Sequence, residues 1–62
     1  MNKVVKILME RDGLTKEEAE ELLESVKEEC YRAIDEEKDY LVEDIILDDL
    51  GLEMDYIYDV LY

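Results

Sequence analysis

The chain contains no proline, and its two glycines stand at positions 13 and 51. Proline removes an amide donor and glycine supplies left-handed backbone, so these are the ordinary means of interrupting a helix. With only two such breaks and an abundance of Leu, Glu, Lys and Ala, the sequence is set to be helical almost throughout.

Around the first glycine the punctuation is specific. Val4, Val5, Ile7, Leu8 and Met9 form an apolar stripe at helical spacing over residues 2–11, and Gly13 supplies the left-handed residue that commonly ends a helix. Thr15 then starts a T-x-x-E capping box with Glu18, and Glu17 and Glu18 place negative charge in the first turn of the next helix.

A second helix is predicted over residues 16–37. Ala19, Leu22, Leu23, Val26, Cys30, Ala33 and Ile34 share one face at a spacing close to a short heptad seam, while Glu20, Glu21, Glu24, Lys27, Glu28 and Arg32 take the other. Such a helix would span ~33 Å, against a diameter of roughly 27 Å for a round globule of this length. An overhanging apolar stripe invites a second copy, so those seven residues are the expected homodimer interface. The charged run DEEKD at 35–39 reads as the frayed end of that helix or a short connection. Leu41, Val42, Ile45, Ile46 and Leu50 predict a third amphipathic segment, closed by Gly51, and Met54, Ile57, Tyr58 and Leu61 a fourth short helix.

The expected fold class is therefore all-α: one acidic domain over 1–62, a bundle of three to four helices with one long central helix. A single core of this size rarely supplies more than ~3–5 kcal/mol, which is a further reason to expect self-association. One cysteine and no histidine rule out an internal disulfide and a Cys/His zinc site. The short, charged apolar run at the amino end does not read as a signal peptide, and no stretch approaches the ~20 apolar residues of a membrane span. A cytoplasmic protein is expected.

Charge narrows the partners. Twenty acids against seven bases give −13, distributed as +2 over residues 1–16, −7 over 17–38 and −8 over 39–62, where no base occurs. Such a surface repels phosphate and anionic lipid, which argues against direct nucleic-acid or membrane binding and favours a basic protein surface.

Chemistry finds little support. An EF-hand loop started at Asp44, Asp48 or Asp49 fails at its third position, which would be Ile46, Leu50 or Gly51, so no metal or cofactor is expected. Cys30 has no histidine to activate it, has Glu28 and Glu29 nearby to raise its pKa, and lies on an apolar face as a small packing residue. Thr15 is accounted for by capping and Ser25 has no partner in view, so no enzyme is expected.

Two resemblances bear on context. Asp49, Leu50, Gly51 and Leu52 resemble the D-L-G-x-D-S-L stretch of acyl carrier proteins, but Met54 stands where the phosphopantetheine-bearing serine belongs. The stretches LMERDGLTKEEAEELLESV and DDLGLEMDYIYDVL resemble small uncharacterised acidic proteins of phages and mobile elements of Gram-positive bacteria, with Met54 where a GLEPDY-type ending has proline. That resemblance covers about half of the chain and implies a bacterial host cell and no particular activity.

In the stretch DDLGLEMDYIY, Leu50, Leu52, Met54, Ile57 and Tyr58 are expected to pack inward and the acids to remain outside. The resulting expectation is a non-enzymatic interaction protein of phage type that occludes a basic host protein, one that handles nucleic acid or serves in defence, with carboxylates in place of phosphates. Asp44, Asp48, Asp49, Glu53, Asp55 and Asp59 are the candidate contacts, with Tyr56 and Tyr58 as anchors. The alternative is a structural or regulatory assembly component that binds through apolar helix faces, its acids serving only solubility.

Overall fold

In the structure, a computed structural model that describes residues 2–62, Asn2 opens the first helix. Its side chain accepts the Val4 N–H at 2.7 Å, and helix α1 runs Lys3–Asp12. Gly13 ends it at φ 71°, its own N–H donating to the Leu8 carbonyl. Two residues on, Thr15 Oγ1 accepts the Glu18 N–H at 3.1 Å and Glu18 Oε1 accepts the Thr15 N–H at 3.0 Å. This reciprocal box satisfies two of the donors that a helix start leaves free, and α2 follows as Lys16–Asp35.

The end of α2 is ordered. The Lys38 N–H donates to the Ala33 carbonyl at 2.7 Å and the Glu37 N–H to Ile34 at 3.1 Å, the pair of bonds of a Schellman cap. Glu37 occupies the left-handed position at φ 61°, where glycine is usual. The run DEEKD is thus the last residue of α2 followed by a short connection that this cap orders, and α2 stops two residues before the predicted 37.

Helix α3, Leu41–Ile45, continues into a wider π-helical turn at Ile46–Leu50. Val42, Ile46 and Leu50, buried at steps of four, would drift around a regular helix; the wider turn keeps them on one side. Gly51, at φ 65°, closes the segment. Leu14 and Leu52, each just after a left-handed glycine, both turn toward the core. A 3-10 turn at Met54–Tyr56 then leads into α4, Ile57–Leu61.

The fold is an all-α bundle, with no strand among the described residues. Its core joins Val4, Val5 and Leu8 of α1 to Ala19, Val26 and Cys30 of α2, with Ile46, Leu50, Val60 and Leu61 closing it from the carboxyl half. Helix α2 packs against α1, α3 and α4 in turn.

This arrangement corrects the expectation for α2. Ala19, Val26, Cys30 and Ala33 are buried within the single chain, and Leu22 and Leu23 are half-buried against the same core. Of the seven residues assigned to a dimer seam, only Ile34 is exposed, at 40%. Nor does the helix overhang. At ~1.5 Å per residue its 20 residues span ~30 Å, and the molecule measures 33 × 18 × 17 Å, so the helix lies along the long dimension with the other segments laid beside it.

The carboxyl end needs a second correction. Met54 and Tyr58 are exposed, whereas Val60 and Leu61 are buried and Tyr56 and Ile57 half-buried. Of the expected stripe, Ile57 and Leu61 do turn toward the core, and Val60 joins them there; Tyr58 lies about 160° around α4 from Val60 and faces solvent. A helix of five residues is not stable alone. Side chains from elsewhere hold it: the Tyr31 hydroxyl donates to the Leu61 carbonyl, and Asn2 Nδ2 donates to the Asp59 carbonyl at 2.6 Å.

Candidate partner-binding surface

Asp44 lies in α3, Asp48 and Asp49 in the π-helical turn, Glu53 in the extended step after Gly51, and Asp55 in the 3-10 turn. All five are exposed, and Asp59, on α4, is half-buried. The two ion pairs among the described residues lie elsewhere: Arg11 Nε with Asp12 Oδ1 at 2.9 Å, and Lys38 Nζ with Glu36 Oε1 at 3.8 Å. Among the described residues, the six candidate carboxylates therefore have no counter-charge within contact distance.

One base does reach this half of the molecule, and it binds backbone there. The Arg11 guanidinium donates to the carbonyls of Leu50 and Gly51 while its other edge pairs with Asp12. The negative end of a helix favours a cation, and the Arg11 guanidinium meets it there. This contact holds the end of α3 against the end of α1. Asp12, hydrogen-bonded to the guanidinium, has its carboxyl held below the usual range.

The acidic face extends onto α2. Glu29 lies near Asp49 of the π-helical turn, and interaction with that carboxyl raises the Glu29 pKa, aided by desolvation and countered by Arg32. No local spacing in the sequence relates positions 29 and 49; only the packing of α3 on α2 does. Cys30, fully buried next to this pair, has its thiol pKa raised first by burial and then by the two carboxylates, which leaves it protonated and unreactive.

Of the two proposed anchors, Tyr56 is half-buried against the core and Tyr58 is 72% exposed. Tyr58 stacks on Tyr62, ring centroids 5.7 Å apart, and Tyr62 is 86% exposed. The spacing of four residues on a helix could have suggested this pair.

Among the described residues no cluster of three or more side chains is placed to hold a metal ion, and no helix is long and apolar enough to cross a membrane. No protein-family model, curated protein or solved structure matches the chain.

Proposed function

We propose that this chain is a small acidic interaction module that covers a basic protein surface, setting carboxylates where that surface would otherwise hold phosphates. The natural target is a nucleic-acid-handling or defence protein in the cytoplasm of a bacterial host, and the outcome of binding is inhibition by occlusion. No catalytic step is involved.

The observation that supports this reading most is the state of the acids. Asp44, Asp48, Asp49, Glu53 and Asp55 are exposed, and neither they nor Asp59 forms an ion pair with the chain's own Lys or Arg. Like charges held together repel, and a cationic partner relieves that repulsion while the field accelerates encounter. The alternative, assembly through apolar helix faces, is weakened for α2, most of whose face the chain itself covers, and would rest on the exposed Ile34, Leu47 and Met54.

The test is capture of basic proteins from host lysate as sodium chloride rises from ~50 to ~500 mM, which shortens the screening length from about 14 Å to about 4 Å. The specific partner should elute with salt. Reversing Asp48, Asp49 and Asp55 to Lys should abolish its capture while circular dichroism still reports a folded helical protein. Capture unaffected by both changes would refute occlusion.

A further inference from the structure

Past Gly51 the chain folds back, and Leu52–Asp55 line one cleft together with two residues of the α3 segment. This cleft, of about 330 Å³, is bounded by Glu43, Leu47, Leu52, Glu53, Met54 and Asp55. We propose that it docks an apolar side chain, a leucine or isoleucine, carried on a lysine- or arginine-rich segment of a partner protein. The proposal deepens the reading above and rests on it, because it says where on the acidic face a basic partner makes its apolar contact.

Three features support this. First, three of the six lining residues are apolar, two of them at exposed positions where a polar residue would be free to stand. Leu47 follows the fully buried Ile46 yet is 55% exposed, Met54 is 38% exposed, and the buried Leu52 lines the cleft with them. Contiguous apolar surface in a concavity marks an interaction site more often than a scattered exposed leucine does. Met54 adds a flexible thioether wall that can adapt to more than one aliphatic shape.

Second, the rim is of one sign. Glu43, Glu53 and Asp55 are exposed and form no ion pair among the described residues, whereas two other clefts include bases, Lys27 in one and Arg32 with Lys38 in the other. An apolar lining with a wholly anionic rim complements an apolar side chain flanked by cations.

Third, the same charge disfavours other occupants. A second copy would bring another −13 to the rim, and nucleic acid or an anionic bilayer would bring phosphates. The cleft is at the small end of the range for ligand pockets, which suits one or two side chains rather than a cofactor.

The test compares two labelled lysine-rich peptides of equal length and charge, one with two leucines and one with alanines in their place, by fluorescence anisotropy. The leucine peptide should bind about tenfold more tightly, as burying one aliphatic side chain allows. Leu47→Gln, at an exposed position, should reduce that ratio to near one. In the wild-type chain the methyl resonance of Met54 should shift with the leucine peptide and remain still with the alanine peptide. Equal affinities together with a still methyl would overturn the docking cleft and leave the acidic-face reading intact. Failure of both peptides to bind at low salt would overturn both.

Discussion

Arg11, near the end of α1, donates to the carbonyl of Leu50, thirty-nine positions further along, and so joins two helix ends that have no covalent reason to meet. Its partner contact with Asp12 is solvent-exposed, where ion pairs contribute little, so the bonds to Leu50 and Gly51 should matter more. Arg11→Met is expected to lower the melting temperature more than Asp12→Asn, as thermal melts by circular dichroism would show. Equal effects would mean that the ion pair, and not the helix tie, is what stabilises this end.

The capping box at Thr15 predicts a loss of defined size. Thr15→Ala should cost about 1 kcal/mol and lower the midpoint by about 4–8 °C. Against a total margin of only ~3–5 kcal/mol, that is a large fraction of the stability.

Glu37 predicts a gain. A side chain in the left-handed region costs about 1–2 kcal/mol that glycine avoids, and the Schellman bonds to Ala33 and Ile34 need only backbone. Glu37→Gly should therefore raise the midpoint in the same melts, and an unchanged or lower midpoint would show that the α2 terminus is not strained.

Stability should also depend on pH in an unusual direction. Glu29, raised by Asp49, takes up its proton more readily in the folded chain than in the unfolded one, so folding gains as pH falls from neutral toward the ordinary glutamate range. Asp12 and Glu18 act oppositely, with pKa values lowered by Arg11 and by the Thr15 hydrogen bonds, and their contribution disappears as pH falls through their lowered values. Urea midpoints measured across the acid range should therefore rise and then fall. Glu29→Gln should remove the rise and preserve the fall.

Val26 and Ile34 separate core from surface on one helix. Val26 is 1% exposed, and an unpaired glutamate there should prevent folding, whereas Ile34→Glu should leave a folded helical protein. Two equally helical variants would contradict the packing of α2.

The sequence is most informative where the structure is made by neighbouring residues. Gly13, Thr15 and Glu18 lie within six consecutive positions, and their hydrogen bonds form as their spacing predicts. The Schellman cap of α2 is hidden because Glu37, not glycine, takes the left-handed position. The π-helical and 3-10 turns have no signal in the spacing, and Val60, left out of the expected stripe, takes the inward place beside Ile57 and Leu61 while Met54 and Tyr58 are exposed. Of the candidate surface, Asp44, Asp48, Asp49, Glu53 and Asp55 are exposed as their charge implies. Glu29, Glu43 and Leu47 join that surface through packing, which a linear pattern does not contain.

Helix α2 touches every other helix, whereas those helices touch one another less. Mechanically it is a spine, and a spine leaves no smaller piece able to stand when it gives way. Its central amides should accordingly exchange with deuterium only through complete unfolding, all with one shared opening free energy, while α4 opens and closes far more often.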